Sequence, residues 1–341
     1  MEARFNGVFR DLRRDHAPAV DLALLSHAHQ DHISDLEYVV PEIPAASSIM
    51  TAFIAKVLTD TGPAGRSGAV YINPRTYEKD GVLKTQRGQP YLARPWAFLD
   101  SQPGGELTDD LLATGVSFWE QPPSKSFAPR TDLLHPDVRI LHWPVDHSLF
   151  GAAGFAVETE ASWIGYTGDL RFHGQHGTQS QVFGEGLAGL KPTALLCEGT
   201  RLTEPNLTTE EMVYENCLAA VENAVGTLVV ADFAPRNVER LLGFARIAEQ
   251  TDRSLLVQPK DAYLLRAMHL ADPNLPALME LPHVGLYADP KVSQYKWEQL
   301  VRERYASQTV SHLQVKSAPG EFILAFSLTD IPDLLDLHFL L

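Results

Sequence analysis

The stretch "LLSHAHQDHISDL", Leu24–Leu36, holds three histidines and two aspartates, in a chain with 13 histidines among 341 residues. It continues the apolar run "VDLALLS" (20–26), which predicts a buried strand. In an extended segment alternate residues share a face, so His27 and His29 can point at one ion. Asp31 and His32 come where the chain turns into a helix and can face a second ion nearby. Imidazole and carboxylate suit zinc, and also manganese or iron. Two ions about 3.5–4 Å apart can activate a bridging water. The bland alternative is a polar loop with solvated histidines, but H-x-H-x-D-H directly after an apolar strand is far more specific than a lone H-x-H.

Three later runs repeat the pattern of an apolar strand leading to a ligand-type residue. "VRILHWPVDH" (138–147) predicts a strand ending on His147. "GFAVETEASWIGYTGD" (154–169) predicts a hairpin whose second strand ends on Asp169. "TALLCEGTR" (193–201) predicts a strand ending on Glu198, with Cys197 a buried strand thiol. Sites at strand ends are common in layered α/β folds, because a sheet positions its loops rigidly. "SSIMTAFIAKVLTDTG" (47–62) has helical spacing and stops at Gly62. Residues 62–136, rich in Gly, Pro and Arg, predict surface hairpins and loops.

After about residue 206 the texture changes. "TTEEMVYENCLAAVENA" opens on a capping-box pattern, Thr208 to Glu211, and is helical. "TLVVADF", "RSLLVQP" and "EFILAFSL" predict strands, and "PRNVERLLGFARIAEQ" and "DAYLLRAMHLA" predict helices. Alternating strands and helices imply a parallel sheet.

Composition sets further bounds. The formal net charge is −15, from 28 basic and 43 acidic residues. That argues against a general nucleic-acid binder and leaves room for a local basic groove. Two cysteines are too few for a disulfide framework or a thiolate zinc site. No apolar run approaches the roughly 18 residues of a membrane span, and the charged N-terminus lacks a signal-peptide core. A cytoplasmic protein with no membrane association is expected; self-association is left open.

"SHAHQDH" resembles the signature of the metallo-β-lactamase superfamily. "PVDHSLFGAAGF" resembles its segment carrying the next ligand histidine, here His147, and "GYTGDL" the segment carrying the bridging aspartate, here Asp169. The resemblance implies one ion on His27, His29 and His147, a second on Asp31 and His32, and Asp169 between them. "LLCEGTR" and the run from "ADFAPRNVERLLGFARIAEQ" to "AYLLRAM" narrow it to the β-CASP nuclease branch, with Phe233, Asn237 and Arg240 at the matching positions. That branch includes ribonuclease J and the mRNA 3′-end-processing endonucleases.

The resemblance implies an α/β fold, with an incomplete metallo-β-lactamase αββα-type sandwich over 1–205 and a β-CASP-like α/β domain over 206–341. It implies a metal-dependent hydrolase, a phosphodiesterase or nuclease acting on RNA ahead of DNA through a hydroxide activated by two divalent ions, Zn(2+) or Mn(2+). Asp31 would be ligand and proton acceptor, and Glu198 would orient a histidine acting as general acid. Ser148 could meet substrate phosphate. Arg236, Asn237 and Arg240, at a helix start, would suit phosphate as well, or be ordinary solvated helix positions. The family also places strands before its histidine motif and a return segment with further histidines after its β-CASP region. Here 26 residues precede His27 and the chain stops at "DIPDLLDLHFLL". A shortened member, lacking one histidine of the second ion, is therefore expected. Two other readings stand beside the nuclease: a small-molecule metallohydrolase of lactonase or thioesterase type, and a catalytically inactive scaffold.

Overall fold

A computed structural model gives the fold for residues 20–39, 43–62, 69–72, 75–80, 82–85, 91–100, 116–119, 138–199, 208–234, 236–277, 280–291 and 293–337. The chain divides into two compact units, Met1–Phe172 with His176–Gly199, and His173–Gln175 with Thr200–Leu341. The boundary expected at 205/206 lies outside the described residues. Among the described residues no helix is long and apolar enough to cross a membrane.

The first unit holds two main sheets. β1 (Ala23–Leu24), β2 (Ala45–Ser47) and β3 (Trp96–Phe98) form a parallel sheet in that order. The strand expected over 20–26 shrinks to β1, although Leu25 N still donates to Ala46 O at 2.9 Å. The short helix α1 (Gln30–Ile33) follows, and α2 (Ile49–Thr61) comes after β2. The Ser48 hydroxyl caps α2 by accepting from Thr51 N, and Gly62 ends it, as the spacing predicts. Within 62–136 the described residues correct the expectation of surface hairpins in one respect. Trp96, Ala97 and Phe98 form a wholly buried strand. Two short antiparallel ribbons, Tyr71–Ile72 with Leu92–Ala93 and Arg75–Lys79 with Val82–Thr85, lie in the same region.

Arg94, beside β3, is itself buried. Its guanidinium donates to the carbonyls of Leu36, Val39, Ile43 and Ala69 at 2.6–3.1 Å. A buried charge is tolerable when each donor finds an acceptor. Three of the acceptors, Leu36, Val39 and Ile43, lie at or just after the end of the histidine-rich stretch, so Arg94 braces that segment.

β4 (Ile140–Pro144), β5 (Ala153–Glu158), β6 (Trp163–Tyr166) and β7 (Ala194–Leu196) make the second sheet, in the order β7-β6-β5-β4. β4 and β6 are both antiparallel to β5, and β7 is parallel to β6, so β4, β6 and β7 run the same way. α3 (Gly177–Leu190) covers one face, with Phe183 and Leu187 packed against Val145, Ala152 and Ala156. The edge strand β7 corrects a second expectation. Leu195 and Leu196 are 52% and 56% exposed, and Cys197 is exposed rather than a buried strand thiol. An edge strand has a sheet neighbour on one side only, and hydrophobic sequence alone does not reveal that.

The second unit begins with α4 (Glu210–Asn223). Its cap is Thr209, whose hydroxyl accepts from Met212 N at 3.2 Å, one residue beyond the capping box expected at Thr208. Next come β8 (Val229–Asp232), α5 (Val238–Gln250), β9 (Ser254–Val257), α6 (Pro259–Ala271), β10 (Val284–Ala288), α7 (Lys296–Arg304), β11 (Thr309–Ser311), α8 (His312–Ser317) and β12 (Phe322–Phe326). The sheet is all parallel in the order β8-β12-β9-β10-β11. Its inner strands "LLV" (255–257) and "ILAF" (323–326) are unbroken apolar runs, because a parallel sheet is buried on both faces. The αβ alternation expected from the sequence is present; β10 and β11 add strands where it assigned none.

One backbone position ties the first unit's sheets together. Ser26 O accepts from Ala153 N at 2.9 Å, and Gly168, after β6, approaches the same serine. Gly168 has φ +57°, and a Cβ there would sit 2.6 Å from Ser26 Cβ. Left-handed backbone costs a non-glycine residue about 1–3 kcal/mol, and the clash adds to it. Gly168→Ala is expected to lower the unfolding free energy by at least about that amount in urea titration. Wild-type stability in this variant would show that the turn is not held as described.

Candidate metal centre

The strands deliver their ligands in a regular way. β1 ends at Leu24 and His27 follows three residues on; β4 ends at Pro144 and His147 follows three on; β6 ends at Tyr166 and Asp169 follows three on. The ligands thus sit on turns just past the strand ends rather than on the strands themselves. His29 is the extended N-cap of α1, with φ −69° and ψ 152°, and Asp31 and His32 lie in its single turn.

These six residues meet. One ligand atom from each of His27, His29, His147 and Asp169 lies within 4.8 Å of the others, and Asp31, His32 and Asp169 form a second such group. Asp169 belongs to both. Its Oδ2 lies 3.8 Å from His27 Nε2 and 3.9 Å from His147 Nε2, and its Oδ1 lies 3.3 Å from His32 Nε2. His32 Nε2 is 3.6 Å from Asp31 Oδ2, and His29 Nδ1 is 3.0 Å from His147 Nε2.

His27 is fully buried, and its Nδ1 lies 3.1 Å from the Ser26 hydroxyl. Among the described residues no hydrogen-bond partner reaches its Nε2. Burying a polar nitrogen without a partner is costly, and such orphans call for an explanation. A cation among three imidazoles and a carboxylate supplies one, so the donor set fits a divalent metal. Asp31, by contrast, has a 77% exposed side chain and faces water.

The other expected site residues fall differently. Glu198 touches the backbone: its carboxylate accepts from Leu170 N at 2.8 Å, and its own N donates to Thr167 Oγ1 at 3.1 Å. It braces the turn that carries Asp169. Ser148 is half-buried beside His147. Arg236, Asn237 and Arg240 lie in the second unit. Asn237 caps α5 by accepting from Arg240 N at 3.1 Å, and the Arg240 guanidinium pairs with the Glu210 carboxylate at 3.1–3.2 Å. Sequence reasoning passed over Asp146, Arg171 and Ser180, which surround the His147 and Asp169 turns. The available signals were an aspartate directly before the histidine in "VDHS" and an arginine two after the aspartate in "GDLR".

Burial disfavours the charged form of two of the imidazoles, His27 and His147. Burial, aided by the neighbouring histidines, lowers the His27 pKa from 6.5 to about 2. Burial, and then the Arg171 charge, lowers His147 to about 4, against the pull of Glu198 and Asp146. Burial also raises Asp169. A histidine lowered on folding leaves stability unchanged above its unfolded pKa, where both states are neutral. Below about 6.5 the unfolded chain takes up a proton that the folded chain refuses, so stability falls with pH. Chelator-treated protein is expected to lose up to about 1.4 kcal/mol of unfolding free energy per pH unit for each of these histidines as pH drops below about 6. His27→Gln should flatten that dependence in urea titrations at successive pH values; an unchanged slope would refute the burial of His27 as a neutral ring.

No protein-family model matches the chain. No curated protein matches it. Among solved structures it is similar to a protein of unknown function from Enterococcus faecalis, with 18% sequence identity and a TM-score of 0.56. The match covers 89% of this chain and 58% of that one, so the present chain spans less than two thirds of that protein. At this identity the likeness carries the α/β fold alone.

Proposed function

We propose that the chain is a metal-dependent hydrolase whose reaction is phosphodiester cleavage in RNA, or in DNA, and that it works in the cytoplasm. The observation that carries the hydrolase reading is the convergence of two donor groups on one carboxylate, Asp169, around the buried orphan nitrogen of His27. In this reading the first unit is a metallo-β-lactamase αββα sandwich and the second a β-CASP-like domain; the parallel sheet of the second unit supports it.

His27, His29, His147 and Asp169 would hold one divalent ion, zinc or manganese, and Asp31, His32 and Asp169 the other. Such ions supply Lewis acidity and offset the negative charge that builds on a phosphate during hydrolysis. The chain's own groups divide the remaining work. Asp31, open to solvent, takes the proton from the attacking water. Glu198 holds the Asp169 turn in register through Leu170 N. The Ser148 hydroxyl donates to a substrate oxygen.

One observation favours the second reading, a small-molecule hydrolase. Arg240 is already engaged by Glu210, and Asn237 by its capping bond, so two groups expected to meet phosphate have partners within their own unit. The acidic net charge of −15 points the same way.

Purified protein loaded with zinc or manganese and then dialysed should retain metal and cleave labelled RNA or single-stranded DNA. Asp31→Asn should slow cleavage by about 10²–10⁴-fold, the range of a lost general base. Turnover of lactones or thioesters with nucleic acid left intact would select the second reading. Failure to retain either metal would end both.

A further inference from the structure

Strand pairing alone does not bring the His147 and Asp169 turns together. β4 and β6 are separated by β5 in the sheet. Neighbouring strands lie about 4.8 Å apart, so β4 and β6 are about twice that apart. Yet His147 Nε2 and Asp169 Oδ2 approach to 3.9 Å. Four contacts draw the turns toward each other. Arg171 N donates to Asp146 O at 2.8 Å, and the Asp146 carboxylate lies 3.3 Å from Arg171 Nε. Asp146 N donates to Ser180 Oγ at 2.9 Å, and that hydroxyl donates to Arg171 O at 2.7 Å. The ring runs from the residue before His147, through α3, to the residue two beyond Asp169.

Its members are buried as well as bonded. The Asp146 side chain and Ser180 are fully buried, and the Arg171 side chain is 13% exposed. Burying an ion pair gains little over an apolar pair of the same volume, so stability alone is a weak reason for its presence here. The Ser180 hydroxyl has its donor and one acceptor lobe committed to the two turns at once, which a purely apolar contact could not do.

We infer that Asp146, Arg171 and Ser180 form a positioning clamp that sets the distance between His147 and Asp169, and through it the affinity of the first donor group for a divalent ion. This rests on the metal-centre reading. None of the three residues acts on substrate; they act through the two turns they join.

The test is zinc affinity, measured by chelator competition, together with the visible absorption of the cobalt(II)-substituted protein. Wild type, Asp146→Asn, Ser180→Ala and Leu187→Ala are compared. Leu187 lies on α3 itself, in the apolar core with Val145, Ala152, Ala156 and Phe183, and is not a member of the clamp. Loss of an outer contact to a metal ligand weakens binding by about 10–100-fold. That loss, with a shifted cobalt band, is expected for Asp146→Asn and Ser180→Ala. Leu187→Ala should melt earlier and keep wild-type affinity and spectrum. If Asp146→Asn fails to fold, Ser180→Ala decides. Wild-type affinity in the clamp variants, or an equal loss in Leu187→Ala, overturns the clamp while leaving the metal centre intact. A wild-type chain that binds neither zinc nor cobalt overturns the metal centre itself.

Discussion

A buried nitrogen that no hydrogen-bond partner reaches among the described residues is the constraint on which this structure turns. His27 Nε2 lies in the protein interior, facing Asp169 at 3.8 Å and ringed by His29, His32 and His147. Nothing in ordinary folding rewards that arrangement. Imidazoles packed against one another gain little, and burial opposes charging His27 and His147. The cluster makes physical sense as a donor set gathered at one point, with the surrounding fold offsetting the cost of gathering it.

The architecture explains how distant segments reach one point. β4, β6 and β7 run in the same direction, so the turns bearing His147, Asp169 and Glu198 leave the same end of the sheet, past the strands' C-termini. The bond from Ala153 N to Ser26 O brings in the stretch after β1, with its three histidines. Gly168, free of a Cβ, lets the Asp169 turn pass close to Ser26. Arg94 holds the backbone beyond α1 through the carbonyls of Leu36 and Val39. Sheet direction is thus a coarse placement, and buried side-chain-to-backbone bonds make the fine adjustment.

The residues that gather in the candidate metal centre were legible in the sequence because most depend on local information: an apolar strand, then a ligand-type residue just past its end. The helix over 47–62, the hairpin over 154–169 and the αβ alternation after 206 were legible for the same reason. What depended on tertiary neighbours was not. Trp96–Phe98 is buried although its flanks read as loop, because β2 and α2 close over it. Cys197 is exposed although its run is apolar, because β7 lies at an edge. Asp146, Arg171 and Ser180 are 34 positions apart at most, from Asp146 to Ser180, and only folding shows that they join. The partner of Arg240 within its unit, Glu210, stands 30 positions earlier and shows only in the fold.

In the proposed function Asp169 would serve both donor groups, each able to hold a divalent ion. Anomalous diffraction from crystals grown with zinc, with data collected on both sides of the zinc absorption edge, tests it most directly. The account predicts one peak among His27, His29, His147 and Asp169 and a second beside Asp31, His32 and Asp169. An anomalous map with no peak at Asp169, from crystals in which these side chains are well ordered, would contradict it.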